Sequence, residues 1–324
     1  MRYALPAVFC CVLLAATRAR CEEKKPALER GLDYLVRAQE KDGSFAPNEF
    51  GRQFRPGITG LCVLALLARG EEQYDRAARQ GLDYLAARAQ PGHMYAHALA
   101  TLALAEGAAR WKDDYFKPAE RAVKQIIAAQ NKNGGWGYAA DPKSSRTESC
   151  MSGLVLHALF AARQAGIDVP EETRTRALDF LRKQYDPKRA MFNNETYVSP
   201  SYGATGLAVA ALARFGESDA ESVRNGLAYL DKLPVEKITV NLKGRPFSGY
   251  ARGHYHFELF GHALAYRQAG KQPEKWSAQV ADKLTEQCAD EGAWDGWFGK
   301  PYGTALACLI LQLDGKPALV SLKK

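Results

Sequence analysis

Apolar residues recur along the chain at helical spacing, in two alternating classes of segment. The first class is amphipathic: Leu28, Leu32 and Leu35 share one face, and Glu29 and Asp33 lie on the other. The second class is rich in Ala, Leu and Gly and is apolar on nearly all sides. Because such a helix must be covered on most sides, the alternation predicts a layer of inner helices inside a layer of outer ones.

The amphipathic segments share a five-residue core, which indicates an internal repeat. Gly-Leu-Asp-Tyr-Leu begins at Gly31 and again at Gly81, and looser copies begin at Ala177 and Gly226. The inner helices are predicted at 58–69, 95–106, 150–165, 202–215, 255–269 and 302–313. Glycines suited to a left-handed helix end follow most of them: Gly70, Gly107, Gly166, Gly216 and Gly270.

Six outer–inner pairs in sequence predict an all-α fold, with residues 20–324 forming one domain. An open solenoid is the alternative, but its terminal repeats need polar caps. The last apolar segment, around Ala305 and Leu309, has no such cap and is suited to pack against the first. We therefore expect an (α/α)6 toroid, a double-layered ring of six helical hairpins.

Residues 1–19 have the pattern of a signal peptide: a positive start at Arg2, an apolar stretch and then small residues. This predicts export to the periplasm or the extracellular space. No later stretch predicts an integral membrane span.

Charge and cysteine usage exclude several classes of function. The net charge of +8 arises from interspersed residues, and no nucleic-acid-binding signature is present. Beyond the predicted signal peptide five cysteines remain, without the spacing of a zinc site or a small disulfide framework. Cys62 and Cys308 lie in apolar runs, where a free cysteine behaves as a small hydrophobic residue. No metal or cofactor is expected.

Three loops carry glutamine, glycine and an aromatic residue in the same order: Gln39, Gly43 and Phe45; Gln130, Gly134 and Trp136; Gln287, Gly292 and Trp294. They resemble the QW repeat of the terpenoid cyclase and protein prenyltransferase superfamily, which includes squalene–hopene cyclase-like proteins and prenyltransferase and squalene oxidase repeat proteins. The resemblance extends over essentially the whole mature chain and implies an α/α toroid.

The catalytic motifs of both branches of that superfamily are missing from this chain. The cyclases protonate an alkene with an Asp-x-Asp-Asp motif; at the corresponding place Glu148 holds the central position and the aspartates are absent. The zinc ligands of the prenyltransferases align with Gly253, Tyr255 and Gly303, which cannot bind zinc as that family does. Glu148 is either a residual acid or an ordinary residue at a helix start.

The longest predicted loops all precede inner helices, so one face of the ring collects the long loops and a candidate pocket. Aromatic residues expected there form the candidate ligand-binding set: Tyr95, Trp136, Tyr202, Tyr255, Trp294, Trp297 and Tyr302. Such residues line an apolar or carbohydrate ligand site. The alternative is that each tyrosine packs its ring inside and leaves its hydroxyl in water.

The densest polar cluster runs from His254 to Glu258 and continues at His262. Residues four apart share a helical face, so this line of side chains is a candidate for acid–base chemistry or metal binding. Packing and a single hydrogen bond are the alternative role of such histidines. The candidate catalytic residues are Glu148, His256 and Glu258.

Three hypotheses of function follow. The favoured one is a binding toroid that holds an apolar, isoprenoid-like molecule or a partner polypeptide in its central cavity. The second is a divergent terpenoid cyclase with Glu148 as its acid. The third is a six-hairpin carbohydrate-active enzyme, which needs two acids about 5–10 Å apart; its candidates are Glu148, Glu195, Glu258 and Asp295.

Overall fold

The computed structural model describes residues 25–88, 92–144, 146–194, 201–235, 241–242, 245–246, 251–271 and 273–322, with the backbone alone at 241–242, 245–246 and 251–254. The predicted signal peptide and Glu195 lie outside the described residues. Over the described ranges the chain forms twelve α-helices and two short strand pairs. The predicted all-α class is confirmed.

Outer and inner helices alternate along the chain. The outer helices are α1 (Ala27–Ala38), α3 (Asp75–Arg88), α5 (Lys112–Ala128), α7 (Glu171–Lys183), α9 (Glu221–Leu230) and α11 (Glu274–Gln287). The inner helices are α2 (Arg55–Arg69), α4 (Met94–Arg110), α6 (Ser149–Gln164), α8 (Tyr202–Arg214), α10 (Ala251–Ala269) and α12 (Lys300–Leu313). The antiparallel strand pairs are β1 (Tyr185–Asp186) with β2 (Met191–Phe192), and β3 (Asn241–Leu242) with β4 (Arg245–Pro246).

The six inner helices form a closed ring. Each packs against the next, and α12 packs against α2. At this closing contact the Gln312 amide donates to the Ala65 carbonyl at 3.1 Å, and the Cys62 thiol donates to the Pro301 carbonyl at 3.6 Å. The toroid predicted from the uncapped last segment is therefore confirmed, and the open solenoid is excluded.

The glycine of the repeated five-residue core lets an outer helix approach the ring closely. A Cβ at Gly31 of α1 would lie 2.6 Å from the Cys308 sulfur of α12, and one at Gly81 of α3 would lie 2.4 Å from a Val63 methyl of α2. The outer helices therefore seat on the inner helix of the preceding repeat. Cys308 is fully buried in this contact, as a small hydrophobic residue.

The Gln–Gly–aromatic loops tie neighbouring repeats together through side-chain hydrogen bonds to the backbone. The Gln130 amide donates to the carbonyls of Gly134 and Thr173, the latter in the first turn of α7. The Trp136 indole N–H donates to the Ile126 carbonyl at 2.8 Å. Both residues are therefore part of the scaffold: Gln130 joins one hairpin to the next, and Trp136 fixes the loop against α5.

Four of the five predicted helix-ending glycines adopt the left-handed conformation: Gly70, Gly166, Gly216 and Gly270. The prediction for Gly107 is wrong, because α4 continues past it to Arg110. A Cβ at Gly107 would lie 2.7 Å from a Leu82 methyl, so this glycine makes room for the side chain of an outer helix.

The long loops lie at one end of the ring, and the segment 316–322 crosses the other. The Glu106 carboxylate of α4 accepts the backbone N–H groups of Val320 and Ser321 at 2.7 and 2.8 Å. Arg214 of α8 donates to the Ser321 carbonyl at 2.5 Å. The two ends of the ring are thus built differently. None of the described helices has the length and apolarity needed to cross a membrane.

Candidate functional site

A cavity of about 450 Å³ opens among the long loops, at the N-terminal ends of the inner helices. We call it the aromatic cavity, because nine of its fourteen described lining residues carry rings. The lining is Phe50, Phe54, Gly57, Ile58, Leu61, His93, Tyr95, Ala96, Leu99, Tyr138, Phe257, Trp297, Phe298 and Tyr302. No side chain in this lining is a carboxylate, lysine or arginine.

Ring contacts hold the rim of the aromatic cavity in place. The Phe54 ring lies 4.6 Å from His93 and 4.8 Å from Phe298, centroid to centroid. Asn48 joins the loop before α2 to the loop before α12. Its side-chain amide donates to the Trp297 carbonyl at 2.8 Å, and its backbone N–H donates to the Phe298 carbonyl. Aromatic residues from three separate loops therefore converge on one opening.

Glu148 lies beside this cavity, fully buried at the start of α6. Its side chain makes no capping hydrogen bond, because Asn194 supplies acceptors to the first backbone N–H groups of the helix, those of Ser149 and Cys150. One carboxylate oxygen of Glu148 instead accepts the Tyr95 hydroxyl at 3.2 Å. Tyr95 itself lines the aromatic cavity, so it connects the cavity to this acid.

Glu258 of α10 is the second buried acid, with 3% of its surface exposed. Its Oε2 atom has no hydrogen-bond partner among the described residues. Burial raises the pKa of the Glu258 carboxyl to about 8, so this group holds its proton at neutral pH. The carboxyl lies beside Gly203 of α8 and the Cys150 thiol of α6.

Electrostatic effects connect the two acids through Cys150. Burial, and secondarily the charges of Glu148 and Glu258, raise the pKa of the Cys150 thiol to about 12. Burial also raises the pKa of the Tyr95 and Tyr302 hydroxyls. We call Tyr95, Glu148, Cys150, Glu258 and Tyr302 the acidic cluster. Its thiol and phenols stay protonated at neutral pH, so Cys150 is not a ready nucleophile.

His256 and His262 do not join Glu258 in a metal-binding line. Burial lowers the pKa of His256 to about 4 and that of His262 to about 3, so both rings are neutral at pH 7. The His262 ring packs 4.6 Å from Trp276, toward the outer layer. Among the described residues no group of three His, Cys, Asp or Glu side chains could hold a metal ion. The His254 side chain lies outside the described residues.

The fold is similar to that of two kinds of solved enzyme structure. The GH76A alpha-1,6-mannanase of Salegentibacter sp. HEL1_6 superposes with a TM-score of 0.62 at 15% identity, over 88% of this chain and 97% of that one. The apo type II terpene cyclase MstE of Scytonema superposes with a TM-score of 0.62 at 16% identity, over 88% of this chain and 96% of that one. At these identities the likeness shows the toroid fold alone. No protein-family model and no curated protein matches the chain.

Of the seven candidate ligand-binding residues, three line the aromatic cavity and four lie outside it. Tyr95, Trp297 and Tyr302 line the aromatic cavity. Trp136 and Trp294 lie outside it, buried in the wall, with their indole N–H groups bonded to backbone carbonyls. Two more lie outside it in ring contacts, Tyr202 against Tyr229 and Tyr255 against His256.

Six ring-bearing lining residues were outside the sequence-based candidate set: Phe50, Phe54, His93, Tyr138, Phe257 and Phe298. All but Phe257 lie in the segments that precede an inner helix, and Phe54 is the residue directly before α2. That position is the signal that could have found them. Phe257 lies within α10 and has no such signal in the sequence.

Proposed function

We propose that the protein binds an apolar, isoprenoid-like small molecule in the aromatic cavity. The observation that carries this proposal is the lining: rings and aliphatic side chains, with no charged group among the described lining residues. Burying an apolar ligand there gains hydrophobic free energy without leaving a charge unpaired. The cavity volume of about 450 Å³ lies within the range of about 300–1,000 Å³ typical of small-molecule sites, which favours a small molecule over a partner polypeptide.

Tryptophan fluorescence tests this proposal with β-farnesene, a C15 hydrocarbon, as the probe. Trp297 lines the cavity, so a bound probe should change its emission in a saturable way. The matched control is Trp294→Phe, because Trp294 is buried in the wall. Trp297→Phe should abolish the signal and Trp294→Phe should leave it. A titration without saturation in the native protein, with β-farnesene and with farnesol alike, contradicts the proposal.

A second candidate function is proton donation to a polyene by Glu148. The hydrogen bond from Tyr95 favours it, since this bond stabilises the carboxylate that remains after the proton leaves. Incubating the protein with squalene and analysing the extract by mass spectrometry tests this activity. A cyclised product that disappears in Glu148→Gln supports it, and an unchanged extract from the native protein contradicts it.

Hydrolysis of a glycosidic bond is less favoured. A sugar needs several hydrogen-bonding groups around it, whereas the described lining offers mainly rings. Release of reducing ends from alpha-1,6-mannan, lost in both Glu148→Gln and Glu258→Gln, is the result that would favour it instead.

Export by residues 1–19 is part of the proposed function. It is supported by the pattern of charge and apolar residues at the start of the chain. Amino-terminal sequencing of the protein recovered outside the cytoplasm should begin close to residue 20. Recovery of the uncleaved chain inside the cell contradicts export.

A further inference from the structure

Gly203 differs from other glycines of the inner helices in what surrounds it. For five of them an added Cβ would lie 2.6–2.7 Å from backbone atoms of a neighbouring segment: Gly57, Gly60, Gly153, Gly206 and Gly303. These glycines permit close packing. At Gly203 the nearest atom is the Glu258 Cγ at 3.5 Å, followed by the Cys150 sulfur at 3.8 Å. The absent side chain there leaves a space of about one methyl group.

One oxygen of the carboxyl beside this space has no hydrogen-bond partner among the described residues. Glu258 is 3% exposed, and its Oε2 atom has no partner among the described residues. A buried carboxyl oxygen without a partner destabilises the folded protein, and a bound hydrogen-bonding group removes that cost. Phe257, the preceding residue, and Tyr302, whose hydroxyl lies within electrostatic reach of Glu258, both line the aromatic cavity.

We propose that the ligand carries one uncharged oxygen, a hydroxyl or a carbonyl, and that this oxygen occupies the space beside Gly203 and bonds to Glu258. The inference rests on the proposed function and adds the chemistry of the polar end of the ligand. The ligand is then an oxygenated isoprenoid-like molecule, with its apolar body in the aromatic cavity.

The charges around Glu258 favour an uncharged oxygen over an ionic group. The facing titratable groups are the Cys150 thiol of α6 and the Tyr302 hydroxyl of α12, both protonated at neutral pH, while α8 presents Gly203. On α10 itself His256 is neutral. The Glu258 carboxyl keeps its proton up to about pH 8 and can donate it in a hydrogen bond. Among the described groups around Glu258 an anionic ligand end would meet no cation, and a cationic end would find Glu258 uncharged.

The decisive comparison is between farnesol and β-farnesene, two C15 probes that differ at the oxygen-bearing end. At pH 6.5 the native protein should bind farnesol at least tenfold more tightly than β-farnesene. Glu258→Leu should abolish this preference, and Glu258→Gln should keep it, because an amide also donates a hydrogen bond. Raising the pH to 9.5 should reduce the preference in the native protein and leave it unchanged in Glu258→Gln.

Gly203→Ala tests the space itself. The added Cβ makes only ordinary van der Waals contacts, so the variant should have the same melting temperature as the native protein. It should lose the preference for farnesol and keep its affinity for β-farnesene. Gly261→Ala is the matched control, because its added Cβ would face the Gly203 carbonyl oxygen and Leu207, not the Glu258 carboxyl. It should keep the preference.

The outcomes separate the two proposals. If neither probe binds, the proposed function fails. If both bind equally well to the native protein, or if Gly203→Ala keeps the preference for farnesol, the ligand oxygen does not bind at Glu258 and this inference is overturned.

Discussion

Three glycines in equivalent loops touch the backbone of the following outer helix. Gly43, Gly134 and Gly292 all have positive φ angles, between 85° and 96°. An added Cβ would lie 2.1–2.3 Å from a backbone carbonyl oxygen, in the last case that of Arg30 in α1. Gly292 thus joins the last repeat to the first. Both the backbone conformation and the close approach require glycine at these positions.

Replacing one of these glycines should cost far more than replacing a glycine with the same conformation in an open position. Gly134→Ala combines a backbone penalty with a clash against the Arg176 carbonyl, and we expect a loss of at least about 3 kcal/mol in the free energy of unfolding. In Gly166→Ala the φ angle is similar but nothing lies within 4 Å, so the loss should be about 1 kcal/mol. Urea unfolding measures both; equal losses would contradict the close contact.

Glu258 should make the stability of the protein depend on pH. The folded chain holds the Glu258 proton up to about pH 8, whereas the unfolded chain loses it near the ordinary value of 4.5. Between these values the folded state binds more protons, so stability falls by about 1.4 kcal/mol per pH unit as pH rises. Glu258→Gln removes this dependence, and its advantage over the native protein should grow from pH 5 to pH 8 in urea unfolding. If the free energy of unfolding of the two proteins changed with pH in the same way, the raised pKa of Glu258 would be contradicted.

At the scale of elements, the segment 316–322 should be held on the ring chiefly by Glu106. This carboxylate of α4 is 3% exposed and accepts two backbone N–H groups, those of Val320 and Ser321. Glu106→Ala leaves both donors without their acceptor, and we expect a loss of about 2–4 kcal/mol. Amide exchange at Val320 and Ser321 should accelerate.

The control for this prediction is Glu120→Ala, which removes an acid from the exposed pair with Lys124. Exposed pairs contribute about 0–1 kcal/mol, so this variant should be close to the native protein. Unchanged exchange at Val320 in Glu106→Ala would mean that other contacts hold the segment.

The inner helices could be predicted from the sequence because burial on all sides leaves an uninterrupted apolar segment. Predicted and observed bounds of α8 and α12 differ by no more than two residues. The position of Glu148 at a helix start could also be predicted, because it directly precedes such an apolar segment. Its hydrogen bond from Tyr95 could not be predicted, because that contact joins α4 to α6 and depends on how the inner helices pack.

The sequence-based candidate set did not separate the aromatic residues of the cavity from those of the wall. Trp136 and Trp297 both follow a glycine-bearing loop, yet one seals the wall and the other lines the cavity. The Trp136 indole is held in the wall by a hydrogen bond to the Ile126 carbonyl at the end of α5, and Trp294 makes the equivalent bond to the Leu284 carbonyl. Both belong to the Gln–Gly–aromatic loops, whereas Trp297 lies outside that motif.

For the whole molecule, closure of the ring is what makes a ligand site out of separate loops. The aromatic cavity takes residues from α2, α4, α10 and α12, and it exists only because α12 packs against α2. The tail segment covers the opposite end through Glu106 and Arg214. The aromatic cavity at the loop end therefore depends on closure of the ring.

Equilibrium dialysis of radiolabelled farnesol against the native protein and Ala96→Trp tests this claim most directly. Ala96 lines the aromatic cavity, so an indole at this position occupies the volume that the ligand needs. We expect saturable one-to-one binding to the native protein and at least a tenfold weaker affinity in the variant, with its helical content retained. Equal binding to two folded proteins, or no binding to either, would contradict the claim that this hollow ring is a receptor for an apolar molecule.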